Sequence, residues 1–351
     1  MTKRLKISDT LKWKPILSND YSILKFNLKK FIIADVSDSK NLSYLVTKLQ
    51  NLYPLLNDVN KYKRVRKLDN NKFEVLVCEK DDYKGFSDDM YSHLLNVREL
   101  DLPIDKILTK KQFDLVSKSY WPMAFHMNKH IESLLDQSYF TKNEPMCLKI
   151  DYYARLVVEL ALYFRSKSAA LIVNPKNDNV IACGIDSRED HPLRHSIIDA
   201  LDNVAARQAI ELGNNINIEK YNCHNKNLKK FIKEKYDENN SKYEDLKNNF
   251  EKSLDKSDYL CTNYDVFLTH EPCSMCAMAL VHSRVSRVFY IFNTKYGYLN
   301  TKCKMHCVSN LNHSFEVFEA VDFYSDSMFS DYFTKPDTSH INYLEIKNDL
   351  N

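Results

Sequence analysis

The 351-residue sequence lacks the features of several protein classes. No stretch approaches the roughly 18 consecutive apolar residues that a membrane span needs, and the opening residues MTKRLKISDTLKW carry no apolar core of a signal peptide. Nine cysteines, an odd number scattered along a long chain, do not form the dense framework of a disulfide-rich secreted domain. These absences argue against membrane and secreted proteins, and we expect a protein of the cytoplasm and nucleus without a membrane partner.

The length of the chain favours two domains, and 44% apolar residues supply enough material for their cores. Hydrophobic periodicity predicts a small α+β domain over residues 1–143, with strands at 21–36 and 72–80, a helix near 43–56 and a short helical stretch within 90–100. Residues 1–120 hold 23 Lys and Arg against 16 Asp and Glu, whereas the remainder holds 27 against 31. This basic front part indicates a polyanionic partner.

Helices alternate with strands in the second predicted domain, residues 144–351, which is typical of an α/β fold. Residues 214–257 are rich in Lys, Asn, Glu and Asp, and we interpret them as a charged, solvated insertion. The predicted elements are a helix at 151–166, hairpin strands at 169–173 and 180–184, a helix at 194–212, a strand at 265–269, a helix at 273–283 and a strand at 287–292.

The strongest local motif is HEPCSMC, residues 270–276, in which a proline ends a strand and Cys273 and Cys276 stand three apart where a helix begins. This spacing puts both sulfurs on one helical face, and a helix N-terminus favours the thiolate form that binds zinc. Alone, such a pair is equally typical of a redox site or of two inert core thiols.

A histidine upstream favours the metal interpretation. His195 lies near the start of another predicted helix, 78 residues before the first cysteine, and a histidine followed by Pro-Cys-x-x-Cys is the zinc deaminase arrangement. His195, Cys273 and Cys276 would leave a fourth tetrahedral position for water. The nearby group Cys303, His306 and Cys307 has ligand chemistry too, but we interpret it as incidental.

The catalytic glutamate of that arrangement is missing. In zinc deaminases it stands two residues after the histidine and transfers protons, whereas this sequence has Ile197 there. An alkyl side chain neither accepts nor donates a proton, and loss of general acid-base catalysis costs about 10²–10⁴ in rate. Asp199 lies a helical turn away from the required place, and Glu271 precedes the proline outside the helix, so we predict a structural role for Glu271.

These motifs resemble the non-catalytic subunit of the eukaryotic heterodimeric tRNA wobble-adenosine deaminase. Residues 264–290 (YDVFLTHEPCSMCAMALVHSRVSRVFY) resemble its metal-binding helix and following strand, and residues 191–200 (HPLRHSIIDA) resemble its histidine segment with an aliphatic replacement for glutamate. Residues 311–320 resemble its closing strand. The resemblance implies a three-layer deaminase-type α/β sandwich, a mixed sheet with helices on both faces, preceded by the small α+β domain.

The same resemblance implies a function shared between two chains. The partner would be a catalytic deaminase subunit that supplies the glutamate, while this chain would hold Zn²⁺, complete the heterodimer and present tRNA for conversion of adenosine to inosine at the wobble position. Five basic residues of the N-terminal domain could then neutralise phosphates, with Tyr62 contacting a base or sugar; they are Lys61, Lys63, Arg64, Arg66 and Lys67. The alternative is a solvated, charged strand edge.

Three hypotheses for the function remain at this stage. The first is the RNA-presenting, non-catalytic subunit, the second is an active free-standing nucleobase deaminase, and the third is a zinc-stabilised interaction protein without an RNA partner. Ile197 favours the first over the second, and the basic N-terminal part favours the first over the third.

Overall fold

Two compact units make up the chain. The computed structural model describes residues 11–55, 61–68, 71–212, 230–231, 234 and 259–321. The inserted unit contains the described residues within 18–136, and the split unit contains those within 1–17 and 137–351. The predicted domain boundary at 143/144 therefore differs from the observed boundary at 136/137, and the predicted N-terminal domain included a segment that folds with the split unit.

The strands of the described chain are β1 Lys12–Pro15, β2 Leu28–Val36, β3 Lys61–Tyr62, β4 Val65–Lys67, β5 Phe73–Glu79, β6 Leu94–Pro103, β7 Met123–Ala124, β8 Ala169–Asn174, β9 Asn179–Ile185, β10 Asp265–His270, β11 Arg287–Phe292 and β12 Glu316–Val321. The α-helices are α1 Leu42–Leu52, α2 Asp88–Tyr91, α3 Lys110–Ser119, α4 Lys129–Leu135, α5 Ser138–Thr141, α6 Glu144–Tyr163, α7 Ser196–Glu211 and α8 Ser274–His282. None of the helices in these described segments has the length and apolar character to cross a membrane.

The split unit is a three-layer α/β sandwich around a six-stranded mixed sheet of order β1-β12-β11-β10-β8-β9. Strands β10, β11 and β12 are parallel, whereas β8 is antiparallel to both of its neighbours. Side chains alternate across β10: Val266 and Leu268 join the core cluster that includes α7 and α8 residues, whereas Phe267 packs against Tyr153 of α6. The predicted three-layer α/β sandwich, a mixed sheet with helices on both faces, is confirmed.

Helix α6 begins seven residues before the predicted start at 151. The Asn143 side chain caps its N-terminus by accepting from the Met146 amide, and Pro145 stands in the first turn, where a missing N–H costs nothing. The predicted insertion at 214–257 lies outside the described residues, apart from positions 230, 231 and 234.

Strand β1 is an edge strand that sequence analysis did not predict. It runs antiparallel to β12, and Trp13 packs edge-on against Phe289. The buried Asp151 carboxylate of α6 accepts from the Leu11 amide at 2.9 Å. These contacts attach the start of the described chain to the sheet of the split unit, although the rest of that unit follows more than a hundred residues later.

The inserted unit is an α+β fold built on an antiparallel sheet of order β4-β5-β2-β6. Leu45 and Leu49 of α1 pack in one core cluster with sheet residues, and Val116 of α3 packs in another with Trp121 and Ile33. The short helix predicted within 90–100 is wrong for most of its length, because β6 pairs along the whole of β2. Long-range strand pairing outweighs a weak local helical pattern here.

Candidate metal centre

The structure brings His195, Cys273 and Cys276 together at the N-termini of two helices. His195 is the N-cap residue of α7, Cys273 is the N-cap residue of α8, and Cys276 lies in the first turn of α8. Their ligand atoms all lie within 4.8 Å of one another, and His195 Nδ1 is 3.6 Å from Cys273 Sγ. Two sulfurs and an imidazole nitrogen are a donor set that fits a transition-metal ion.

A glycine allows α7 to approach the sheet closely enough to deliver His195. A Cβ atom on Gly184 of β9 would lie 1.9 Å from the Ser196 carbonyl oxygen and 2.5 Å from the Ala200 amide nitrogen. Because both neighbours are backbone atoms, a larger residue would displace the helix. Beside this contact, the Ser196 and Ser168 hydroxyls lie 3.0 Å apart and join α7 to the residue that precedes β8.

The two thiols are electrostatically unequal. A hydrogen bond from Cys276, aided by backbone N–H groups of the first helical turn and by His195, lowers the pKa of the Cys273 thiol to about 5. The same contact with Cys273, together with burial, raises the pKa of Cys276. Cys273 therefore ionises first, as expected for a sulfur at a helix N-terminus, and binding of a cation would release the proton that Cys276 holds.

An ion pair lies on the loop that connects β9 to His195. Arg188 Nε donates to both oxygens of the Asp186 carboxylate, at 2.8 and 3.0 Å. Burial of Asp186 opposes its ionisation, but the hydrogen bonds from Arg188 outweigh it and lower the pKa of the carboxyl. The Ser187 amide donates to the Arg194 carbonyl at 2.9 Å, which closes this loop directly before His195.

Ile197 stands two residues after His195, in the first turn of α7. Its side chain is 5% exposed and belongs to the same core cluster as Ala200 and Cys276. Asp199 follows one helical turn after His195, since its amide donates to the His195 carbonyl. The side chain at position 197 therefore contributes apolar packing beside the candidate metal ligand Cys276, and it has no group that could transfer a proton.

Glu271 has the structural role that its position predicts, and the structure shows its partners. The carboxylate is 3% exposed, and its Oε1 accepts from the backbone amides of Leu299, Asn300 and Thr301 at 3.0, 2.6 and 2.9 Å. The Thr301 hydroxyl donates to the other oxygen. A buried carboxylate that binds this many donors is a positioning group for the loop that follows β11.

Gly297 makes room for that carboxylate, because a Cβ atom at this position would lie 1.9 Å from Glu271 Oε2. The next residue, Tyr298, donates its amide to the Pro272 carbonyl at 2.9 Å, immediately before Cys273. The segment 294–302, which we call the Glu271 loop, is thus joined to the start of α8. This connection could not be predicted from the sequence, because a carboxylate and backbone amides some thirty residues apart leave no motif.

The group Cys303, His306 and Cys307 does not join the metal-binding cluster of the described chain, although His306 has a structural contact. Its Nε2 lies 2.8 Å from the Ile16 carbonyl oxygen, just after β1. Lys304 Nζ donates to the neighbouring Leu17 carbonyl at 2.7 Å. Burial lowers the pKa of His306 to about 4, so the ring is neutral at physiological pH and donates from Nε2.

In the inserted unit, the two arginines predicted to contact phosphates point inward. Arg64 donates to the backbone carbonyls of Leu76, Val77 and Tyr53, at 2.9, 2.6 and 2.7 Å. Tyr62 is also buried, and its hydroxyl donates to the Pro103 carbonyl at 2.7 Å. The donors of both side chains bind backbone acceptors of the unit itself, and their contact with RNA stays a prediction.

Arg66 also contacts residues of its own unit. Its Nε donates to Glu74 at 2.6 Å, its guanidinium lies 4.2 Å from the centre of the Trp121 ring, and Glu74 is only 2% exposed. The remaining predicted contacts, Lys61, Lys63 and Lys67, are exposed. The cationic surface of this segment is therefore formed by lysines, while the arginines stabilise the fold.

Comparison with known proteins shows that the part of the chain with the candidate metal ligands matches a family of zinc-binding deaminases. Residues 149–292 match the family model of the cytidine and deoxycytidylate deaminase zinc-binding region. The chain is 33% identical over 340 residues to the Danio rerio probable inactive tRNA-specific adenosine deaminase-like protein 3, a match that covers 89% of this chain and 92% of that protein.

Two further relatives agree with this match. The Homo sapiens protein of the same name is 31% identical over 233 residues, covering 63% of this chain and 60% of the relative. The Saccharomyces cerevisiae tRNA-specific adenosine deaminase subunit TAD3 is 26% identical over 276 residues, with 73% of each chain covered. The chain belongs to the family of tRNA-specific adenosine deaminase-like protein 3.

Proposed function

We propose that this chain is the non-catalytic, zinc-binding subunit of a heterodimeric tRNA-specific adenosine deaminase, which converts adenosine to inosine at the wobble position of tRNA. The observation that carries the proposal is a complete His and two-Cys donor set beside an alkyl side chain at the position of the proton-transferring glutamate. The names of the relatives, which include an inactive deaminase-like protein and a deaminase subunit, support it.

Zinc suits the donor set better than other common metals. Thiolates and imidazole are its preferred ligands, and hard cations such as Mg²⁺ or Ca²⁺ prefer oxygen. His195, Cys273 and Cys276 would hold the ion, and in an active deaminase such zinc activates a water molecule for attack on the base. Ile197 has no group that could accept a proton, so the ion would contribute here to the folding of the helix N-termini that supply its ligands.

In the proposed enzyme, catalysis and tRNA presentation belong to two different chains. A catalytic deaminase subunit would supply the glutamate, while this chain would complete the heterodimer and present tRNA. The exposed lysines of the inserted unit, Lys61, Lys63 and Lys67, support RNA presentation through phosphate contacts. We propose residence in both cytoplasm and nucleus, which fluorescence of a tagged full-length chain in living cells would test.

An editing assay tests the proposal. The chain, its catalytic partner and the 1:1 complex are each incubated with a tRNA that carries adenosine at the wobble position, and inosine is quantified. We expect inosine from the complex and none above background from this chain alone. Appreciable inosine formation by the isolated chain would refute the proposal, and a complex without tRNA affinity would favour an interaction protein that has no RNA role.

A matched pair of variants locates the chemistry. Replacing the catalytic glutamate of the partner by glutamine should abolish inosine formation, whereas Ile197→Val in this chain should leave it within about twofold, since this change removes a single methylene and no proton-transferring group. A loss of editing with Ile197→Val, in a complex that still assembles, would mean that position 197 takes part in the reaction.

A further inference from the structure

The Glu271 loop, residues 294–302, has the features of a nucleic-acid contact. Tyr296 is 68% exposed, and its neighbour Lys295 is exposed too, as is Lys302 at the end of the loop. An aromatic ring between lysines is the combination with which proteins stack on unpaired bases and attract the flanking phosphates.

The loop is ordered by internal contacts, so it would bind with little loss of conformational freedom. Besides the Glu271 contacts, the Gly297 amide donates to the Thr294 carbonyl at 3.0 Å, and the Lys302 amide donates to the Gly297 carbonyl at 2.9 Å. The backbone on both sides of Tyr296 is therefore held in place, while the ring itself is exposed.

The charge around the loop suits a polyanion. The segment 293–315 contains three lysines and two histidines and has no aspartate or glutamate. Two carboxylates that contact the loop are hydrogen-bonded: Glu271 is buried by its donors, and Glu319 accepts from the Asn293 and Asn300 side-chain amides. The exposed Lys302 adds positive charge at the end of the loop.

The position of the loop in the fold also favours a ligand contact. It follows β11, and the cysteine pair follows β10, so both lie at the carboxyl ends of adjacent parallel strands. This edge is where open α/β sheets bind their ligands. The hydrogen bond between Tyr298 and Pro272 brings the loop within one residue of Cys273.

We propose that the Glu271 loop binds unpaired nucleotides of the tRNA, with Tyr296 stacking on one base and Lys295 and Lys302 close to the flanking phosphates. This inference rests on the proposed function, since it takes tRNA as the substrate of the complex. It adds a contact surface in the split unit to the lysines of the inserted unit.

The test measures the affinity of the assembled heterodimer for a wobble-adenosine tRNA by fluorescence anisotropy. Tyr296→Ala should weaken binding roughly 5- to 100-fold, the range that loss of one stacked base produces, whereas Tyr296→Phe should stay within about twofold. Tyr259→Ala is the matched control, because that tyrosine is 64% exposed in the same unit and should have no effect on tRNA affinity.

A second experiment tests the predicted phosphate contacts of the two lysines through the salt dependence of tRNA affinity. Lys295→Gln together with Lys302→Gln should reduce the slope of log affinity against log salt by about 1.4, since each phosphate contact on a single strand contributes about 0.7. Tyr296→Ala should leave that slope unchanged. A slope that stays the same in the lysine variant would contradict phosphate contacts at this loop.

Subunit association is measured in parallel by sedimentation at several dilutions. If Tyr296→Ala separates the subunits, the loop is a protein contact and the inference is wrong. If the wild-type complex binds and edits tRNA but Tyr296→Ala binds equally well, the inference fails while the proposed function stands. If the wild-type complex neither binds nor edits tRNA, the proposed function fails and this inference with it.

Discussion

The candidate metal ligands of the split unit and the basic segment 61–67 of the inserted unit were both predicted from residue type and spacing, but the side chains of only the first group lie as their pattern predicts. His195, Cys273 and Cys276 converge as the motif predicts. In the basic segment, Arg64 and Arg66 turn inward onto acceptors of their own unit. Only the lysines of that segment remain exposed.

The difference follows from the chemistry of the side chains. Soft sulfur and imidazole donors at two helix N-termini have few roles other than binding a metal, so their spacing carries geometric information. A guanidinium has five donors and an apolar stem, and it serves a buried carboxylate or an aromatic ring as well as a phosphate. A run of basic residues therefore indicates charge without indicating which members face the solvent.

The largest expected effect is that of Cys273→Ala, which tests one side of this comparison. Zinc content of the purified heterodimer, measured by mass spectrometry, should fall by about one ion per copy of this chain, while the zinc of the catalytic partner remains. Because structural zinc contributes folding free energy, we expect the split unit to lose at least about 5 kcal/mol of stability. Thermal unfolding monitored by circular dichroism measures that loss.

Cys303→Ala is the control for the cysteine experiment, since Cys303 is partly exposed and lies outside the cluster. Its zinc content and unfolding temperature should match those of the wild type. If Cys273→Ala retained its zinc and its stability, the three converging residues would neither bind the ion nor stabilise the fold. The interpretation of this cluster as a structural zinc site would then be wrong.

Arg66→Ala should have the next largest effect, and it tests the other side of the comparison. The change removes one of the two arginines that bind the buried Glu74, the other being Arg98, as well as the contact with Trp121. Arg98 still compensates the buried charge, and the loss of a hydrogen bond to a charged group costs about 1.5–3 kcal/mol, so we expect a loss of about 2 to 3 kcal/mol. Urea unfolding followed by tryptophan fluorescence measures it, with Lys67→Ala expected within about 0.5 kcal/mol of the wild type.

If Arg66→Ala weakened tRNA binding while leaving the unfolding curve unchanged, its side chain would face RNA rather than Glu74. The interpretation of the arginines as fold-stabilising residues would then be wrong. The same reasoning applies to Arg64, whose donors satisfy three backbone carbonyls.

The sequence predicts the split unit well where local pattern and ligand chemistry coincide. The hairpin of β8 and β9, the strand β11 and the starts of α7 and α8 follow from periodicity and turn residues. Strand β1 was missed because four residues, KWKP, give too short a pattern, and their partner strand lies about 300 residues further along the chain.

Glu271 illustrates what the sequence alone leaves open. Its position outside the helix argues against catalysis, but its binding partners are backbone amides, which every residue has. Only the folded backbone shows that residues 299–301 present three amides to one carboxylate. The same holds for Gly297 and Gly184, whose lack of a side chain matters because of atoms distant in sequence.

A smaller effect concerns pH and the attachment of β1. Burial lowers the folded-state pKa of His306 to about 4, below the unfolded value of about 6.5. The unfolded chain therefore binds the extra proton between these pH values, so the contribution of His306 to stability is complete above about pH 6.5 and is lost as the pH falls toward 4. Between pH 7 and pH 5 the loss amounts to about 2 kcal/mol.

His306→Gln separates this contribution from that of other titrating groups. The glutamine amide places an N–H donor near the position of Nε2, which contacts the Ile16 carbonyl, and it does not titrate. Urea unfolding at pH 7 and pH 5 should therefore show a smaller pH dependence for the variant than for the wild type. Equal pH dependence in both proteins would mean that the ring is not held in its neutral form.

The smallest effect is expected from the exposed lysines, and it completes the comparison from the side of the inserted unit. Replacing Lys61, Lys63 and Lys67 together by glutamine should leave the unfolding curve unchanged, because all three are exposed. Each lost phosphate contact should weaken tRNA binding by less than about 1 kcal/mol. The slope of log affinity against log salt should fall by up to about 2 to 3. An unchanged slope would mean that any RNA contacts of the inserted unit lie outside segment 61–67. The arginines of that segment would then have a purely structural role, and its lysines would only be solvated.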